Sequence, residues 1–287
     1  MDSMFDRSSH LRGDELDRLV DAREARAIVF SEGRVRVEGG AEPRLARWAL
    51  SDLPSSDRSR FVFLGIERAA PIFLFVEDGE AWSGARGDLM IFREAAPLLS
   101  HDEAGLLAYG QGIVNWHARS RFCGRCGHQT ESRKGGHARH CLNDSCGSDW
   151  FPRLDPVVIM LVTRGDEVLL VRHRRARSST FFSAVAGFVE HGETLEDAAA
   201  RELLEEVGLI AREIHYLSSQ SWPLPLSLML GFRVEVDAGN VRLDGDELLE
   251  ARWFTREELR RLSTDGSVAL SPSFSVAGKM IASWMNG

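Results

Sequence analysis

The chain has 287 residues, with 35 Lys and Arg against 43 Asp and Glu for a net charge of −8. At 44% hydrophobic and 27% charged residues, it has the composition of folded globular domains, which excludes a disordered or low-complexity chain. The length suggests about two domains, and the acidic balance argues against broad adhesion to nucleic acid or anionic membrane.

The longest apolar runs, such as Val157 to Val162, fall far short of the roughly 20 residues of a membrane span. The first twenty residues mix acids and bases with no apolar segment, unlike a secretory signal, so a cytoplasmic location is expected. In that reducing setting Cys123, Cys126, Cys141 and Cys146 are not expected to form disulfides.

Residues 1–118 read as a mixed N-terminal domain with no catalytic motif and no internal repeat. Apolar runs at Ala27 to Phe30, Phe61 to Ile66 and Pro71 to Val76, bounded by polar or Gly-containing turns, predict strands. Ser100 and Glu103 fit a capping box ahead of Leu106, Leu107, Gly110, Ile113, Val114 and His117 at helical spacing, which predicts a helix from Ser100 onward.

Residues 119–152 change to Cys, His, Gly and Arg with few aliphatic residues and need a staple in place of a core. Cys123 and Cys126 in CGRC, then Cys141 and Cys146 in CLNDSC, are two ligand pairs of the kind that hold a tetrahedral structural zinc. Four thiolates fill such a site, so His128, His137 and His140 read as turn or surface residues. The stretch from Arg119 to Arg153 holds seven basic and three acidic residues, a local +4 that could meet phosphates.

Residues 153–287 alternate strands and helices. Strands are predicted at Val157 to Val162, Glu167 to Arg172, Ser183 to Phe188, Leu228 to Val236 and Arg252 to Phe254, with helices at Thr194 to Val207, after Thr255, and at Val276 to Met285. Interleaved elements of this kind make a layered α/β sandwich.

The helix within Gly187 to Leu209 places Glu202, Glu205 and Glu206 on one face at i, i+3 and i+4. Each like-charge pair disfavours the helix by roughly 0.2–0.5 kcal/mol unless a cation sits between the acids. A carboxylate-lined site of this kind suits Mg²⁺ or Mn²⁺ with positions open to phosphate oxygens, so a polyphosphate substrate is implied. A Glu-rich helix taken alone is more often a solvated face.

The spacing of Gly187, Glu193, Arg201-Glu202-Leu203, Glu205-Glu206 and Gly208-Leu209 resembles the Nudix box at every defined position. The run SQSWPLPLS, Ser219 to Ser227, resembles the signature of the NADH pyrophosphatase branch, which also carries a zinc ribbon before its Nudix domain. With WHARSRFCGRCG and FPRLDP, the likeness spans about residues 110–285. The N-terminal part resembles the family only in length and general character.

The resemblance implies a Nudix α/β/α sandwich with a mixed sheet, preceded by a zinc ribbon and the N-terminal domain. It implies that Glu202, Glu205 and Glu206, with Glu247 and the carbonyl of Ala186, hold catalytic Mg²⁺ or Mn²⁺. Glu193 assists that network, Arg201 orients a glutamate through a salt bridge, and Glu250 is a weaker alternative to Glu247. Phe151, Phe188, Gln220, Ser221, Trp222, Pro223, Leu224, Pro225, Leu226, Ser227 and Ala277 are the implied substrate contacts. Ser221, Leu224 and Phe151 stand where the family more often has Pro, Phe and Tyr, and the second cysteine pair has four intervening residues where two are more usual.

The implied reaction is hydrolysis of NADH or NAD to AMP and the nicotinamide mononucleotide. Removal of NAD caps from RNA and a homodimeric state are implied as well. Two alternatives stay open: a broader hydrolase of ADP-ribose or diadenosine compounds, and a non-catalytic zinc-ribbon binding protein.

Overall fold

The computed structural model describes residues 5–13, 15–53, 57–77, 86–176, 178–243 and 245–287. The chain divides into two compact units, Met1–Arg153 with Pro223–Leu226, and Leu154–Trp222 with Ser227–Gly287.

The first unit is built on a sheet whose centre runs β3–β4–β1–β2, where β1 is Arg26–Ser31, β2 Arg34–Glu38, β3 Phe61–Glu67 and β4 Ala70–Glu77. Strands β1 and β4 are parallel, and the β3–β4 and β1–β2 pairs are antiparallel. The three predicted runs are β1, β3 and β4, with Phe63, Phe73 and Phe75 fully buried. Strand β2 was not anticipated, because in RVRVE only Val35 and Val37 point inward.

The predicted helix is α1, His101–Arg119, and the Ser100 side chain accepts a hydrogen bond from the backbone N–H of Glu103. The Glu103 carboxylate does not return to Ser100 as a capping box requires. It accepts from Leu45 N at 2.8 Å and Arg47 Nη2 at 2.7 Å, joining the helix to the sheet.

Three antiparallel strands form the ribbon: β5 Thr130–Arg133, β6 Ala138–Cys141 and β7 Asp149–Trp150. The reading of His137 as a turn or surface residue is corrected, since it is 8% exposed and its Nε2 donates to the Phe63 carbonyl of β3 at 2.7 Å. His117 of α1 donates from Nε2 to Gly136 O at 2.8 Å, while Arg139 donates to its Nδ1 at 3.0 Å. Buried polar groups must be matched in this way, and the network fastens ribbon, helix and sheet into one unit.

The second unit is a mixed sheet in the order β11–β12–β8–β9–β13, with β10 also paired to β8. Here β8 is Asp155–Arg164, β9 Glu167–His173, β10 Val185–Phe188, β11 Ala211–Trp222, β12 Ser227–Val236 and β13 Leu248–Thr255. Strands β8 and β12 are parallel over nine register pairs, and the remaining pairs are antiparallel.

Side chains alternate along β8. Val158, Met160 and Val162 face helix α2, Leu195–Val207, and its Ala198, Ala199, Leu203 and Val207. Ile159 and Leu161 face the opposite layer, made by α3, Arg256–Thr264, and α4, Val276–Asn286. This is the expected α/β/α sandwich with a mixed sheet.

Burial holds His117 and His137 each down to about 4, against an ordinary value of 6.5. Both rings are neutral when folded and take up a proton when unfolded, so their contribution to stability is complete above pH 6.5 and is lost as pH falls through about 4. We predict a urea midpoint that falls across this window, with a shallower fall in His137→Gln. An equal pH dependence in the two proteins contradicts this.

Candidate active site and metal centre

Helix α2 begins at a reciprocal cap. Thr194 Oγ1 accepts from Asp197 N at 3.1 Å, and Asp197 Oδ2 accepts from Thr194 N at 3.3 Å. It ends at Gly208, whose φ of 70° is the left-handed conformation that glycine adopts without cost. The helix therefore occupies one frame, and its register decides which acids face β10.

Arg201 sits at the centre of the acids. Its Nε donates to Glu193 Oε1 at 2.6 Å, and its Nη1 donates to Glu202 Oε1 and Glu205 Oε2, both at 2.9 Å. Its Nη2 donates to the Phe188 carbonyl at the end of β10 at 2.9 Å. One guanidinium thus ties the loop acid, two helix acids and the strand together, using the forked geometry that arginine offers.

The hydrogen bonds from Arg201, and one from the backbone N–H of Glu190, hold the Glu193 carboxyl below the usual carboxylate range. Glu202 goes the other way. Burial raises it, the nearby charges of Glu205 and Glu247 raise it further, and the bond from Arg201 only partly offsets them.

Glu202 lies directly over Gly187. A Cβ at position 187 would stand 1.8 Å from its Cδ and about 2 Å from both carboxylate oxygens. The missing side chain is what lets a carboxylate lie against the strand. Glu206, one turn on, is 5% exposed, whereas the side chain of Glu205 is 59% exposed. Buried like charges are costly without a compensating cation, and hard oxygen donors of this kind fit a divalent ion.

Glu247 precedes β13 and is close enough to act on Glu202. Glu250 is engaged elsewhere, accepting from Arg172 Nη2 at 2.8 Å across the β9–β13 ladder. Ala186, on β10, pairs with Ile159 of β8.

Among the described residues, the four cysteines are the one group of three or more His, Cys, Asp or Glu whose ligand atoms all lie within 4.8 Å of one another. The acids of α2 do not meet at such a point.

The remaining candidates are dispersed. Phe188 is 60% and Phe151 50% exposed, and Lys134 Nζ lies 5.2 Å from the centre of the Phe151 ring. The run Ser219 to Trp222 belongs to strand β11, and the turn itself is Pro223 to Leu226. Gln220 spends its amide on backbone, donating to Phe274 O at 2.9 Å and accepting from Val276 N at 2.6 Å. Trp222 stacks on Phe274 with ring centres 6.0 Å apart. Ser227 and Ala277 are buried, Ala277 within the apolar layer under α4. Asn115 of α1 donates to the carbonyls of Pro223 and Pro225 at 2.7 and 2.9 Å, a tether that the sequence pattern did not reveal. Leu224 and Pro225 are joined by a cis peptide bond, and Ser221 pairs with Leu228 across the β11–β12 ladder.

In the ribbon the Sγ atoms of Cys123 and Cys146 are 3.8 Å apart, and those of Cys126 and Cys141 3.4 Å apart. A tetrahedral ion with bonds of about 2.3 Å to sulfur needs separations of roughly 3.8 Å, so the cluster fits zinc. Burial raises the Cys123 thiol, but backbone N–H groups of Arg125 and Cys126 outweigh it and bring the thiol down to about 6. Its neighbour Cys141 receives a backbone bond from Asn143, yet burial and the surrounding thiols push it up to about 12. A bound cation would hold its cysteine ligands as thiolates. Atomic absorption should find zinc in the purified chain. Cys123→Ser should lose the metal and lower the urea midpoint, and a folded wild-type chain without zinc contradicts the assignment.

The chain matches the model of the NUDIX domain over residues 153–272 and that of the NADH pyrophosphatase zinc ribbon domain over 118–151. Residues 24–116 match the NADH pyrophosphatase-like rudimentary NUDIX domain. This last match corrects the view that the N-terminal part is like the family only in length and general character. The main sheet of each unit is largely antiparallel with one parallel strand pair among the described residues.

The NAD-capped RNA hydrolase NudC of Stutzerimonas stutzeri (strain A1501) is 40% identical over 212 residues, covering 72% of this chain and 73% of its own. The NAD-capped RNA hydrolase NUDT12 of Homo sapiens is 38% identical over 198 residues, covering 65% of this chain, and the chain spans only 43% of that protein. A solved NUDIX hydrolase from Nitrosomonas europaea shares 25% identity over 58% of this chain and 90% of its own, with a TM-score of 0.48. Three domain models matched in succession, together with this extent of identity, place the chain among the Nudix hydrolases, in the NADH pyrophosphatase branch with a zinc ribbon.

Proposed function

We propose that the chain hydrolyses the diphosphate bond of NADH or NAD to AMP and the nicotinamide mononucleotide, and that it removes NAD caps from RNA. The observation that carries this reading is the Glu202 carboxylate lying in the space that Gly187 leaves open, close enough to Glu205 and Glu247 for their charges to act on it. The names of the relatives support the choice of substrate. We take the chain to work in three parts, residues 1–118, the ribbon at 119–152, and the hydrolase domain at 153–287.

Glu202, Glu205, Glu206 and Glu247, with the Ala186 carbonyl, are the proposed holders of Mg²⁺ or Mn²⁺. Bound there, such ions neutralise the diphosphate and lower the pKa of a water molecule. The protein's own contribution is positional. Arg201 fixes Glu193 and Glu202 relative to the end of β10, so the carboxylates are set before substrate arrives and little reorganisation remains to be done during reaction. The exposed Phe188 ring, next to Gly187, offers a face for a base to stack on.

Chromatography of products from NADH, NAD and ADP-ribose, each with Mg²⁺ and with Mn²⁺, tests the reading. It requires AMP and the mononucleotide from NADH or NAD. Equal rates on ADP-ribose would favour the broader hydrolase, and no cleavage of any substrate would sink the proposal.

Two variants test the geometry. Gly187→Ala should displace Glu202, whose carboxylate is the flexible end of a side chain, and cut turnover about 10- to 100-fold while the urea midpoint holds. Glu206→Gln should cut it roughly 100-fold or more, since each tenfold is about 1.4 kcal/mol and metal-borne charge stabilisation is worth several. Parallel loss of folding in both variants would mean that these residues serve structure alone.

A further inference from the structure

The turn Pro223–Leu226 joins β11 to β12 and carries four of the residues implied as substrate contacts. It reads Pro-Leu-Pro-Leu, so two of its four residues have no backbone N–H with which to bond the turn to itself. Its carbonyl groups need donors from elsewhere. Asn115, in the C-terminal half of α1, provides them: its Nδ2 donates to Pro223 O at 2.7 Å and to Pro225 O at 2.9 Å. We propose that Asn115, braced by Gln111, is a positioning residue that sets this turn for the dinucleotide, and that holding it is what the rudimentary Nudix region contributes to the reaction. The proposal rests on the hydrolase reading.

A side-chain amide has two donor hydrogens and an acceptor oxygen, and at Asn115 each is engaged. The hydrogens meet two carbonyls, which can only accept, so the nitrogen faces the turn. The oxygen points the other way and accepts from Gln111 Nε2 at 3.0 Å. Gln111 lies four residues earlier on the same face of α1, and is 4% exposed. Pro223 is buried as well, with its Cβ 3.8 Å from where a side chain on Gly112 of α1 would start.

Burying a glutamine amide costs free energy unless it is hydrogen-bonded, and apolar residues at 111 and 115 would pack the turn against α1 without that cost. What the polar pair adds is direction. Apolar contact is non-directional, whereas two bonds from one braced amide fix both the depth and the rotation of the turn. Leu224 and Pro225 are half-buried and keep surface for a ligand, while Pro223 and Leu226 are buried. A contact surface fixed before substrate arrives loses less entropy on binding. Residues 24–116, which match the rudimentary NUDIX domain and carry no catalytic motif, thereby gain a task in the reaction.

The test is steady-state hydrolysis of NADH with Mg²⁺ by the full-length, zinc-loaded chain. Asn115→Asp keeps the size of the side chain but sets acceptor oxygens against the two carbonyls, and should raise KM about tenfold while kcat stays within about twofold. Gln111→Leu removes only the brace and should raise KM in the same direction by a smaller factor. A merely structural role would lower the urea midpoint and the fraction of active enzyme and leave KM where it was. In hydrogen exchange read by mass spectrometry, the peptide that spans the turn should exchange faster in Asn115→Asp than in the wild type, with zinc content and Mn²⁺ uptake unchanged. If Asn115→Asp does not fold, Gln111→Leu decides alone. A wild type that cleaves neither NADH nor NAD contradicts the hydrolase reading and this proposal together. A wild type that cleaves NADH, with the same KM in the folded variants, overturns the positioning role and leaves the hydrolase reading standing.

Discussion

The second unit is organised around an electrostatic conflict. Glu202, Glu205 and Glu206 crowd one face of α2, and Glu247 approaches from the start of β13. Arg201 relieves part of the repulsion by bonding Glu193, Glu202 and Glu205 at once. It leaves Glu202 with a raised pKa and Glu206 in the buried layer. A helix selected only for stability has no use for this arrangement, since each like-charge pair costs a few tenths of a kcal/mol and burial costs more. The surrounding architecture serves to hold it: the Thr194 cap and Gly208 set the helix frame, Gly187 admits the carboxylate, and two apolar layers grip the sheet from both sides.

The first unit solves a different problem. A ribbon with few aliphatic residues cannot bury enough apolar surface to fold, and the four sulfur atoms supply a closed coordination site instead. The ribbon is then fastened to the N-terminal sheet by the buried His137, bonded to the Phe63 carbonyl, and to helix α1 by the half-buried His117, bonded to the Gly136 carbonyl. Neutral histidines suit this role because each ring can donate from one nitrogen and accept at the other. His117 also accepts from Arg139 Nη1 at 3.0 Å.

Much of this was legible in the sequence where a local pattern determines the structure. The helix at 195–207 follows from Thr194, the i+4 apolar stripe and Gly208, and the cysteine pairs declare themselves by spacing. Strand β11 was not legible. In AREIHYLSSQSW the only apolar side chains are spread among serines and charges, and the segment is extended because β12 pairs with it along ten register positions. The same limit applies to His137, whose burial depends on a carbonyl 74 residues away. Gln220 and Ala277 show the converse. Motif likeness offered both for ligand contact, yet packing has committed the Gln220 amide to Phe274 and Val276, and the Ala277 methyl to the layer under α4. Register pairs and long-range polar contacts have no signature in local periodicity.

The most direct measurement is titration calorimetry of Mg²⁺ and Mn²⁺ into the zinc-loaded, full-length chain, with and without NADH. Uptake by the wild type that disappears in a folded Glu202→Gln variant is what the crowded carboxylates predict. No uptake under either condition, with the protein demonstrably folded, would contradict the account.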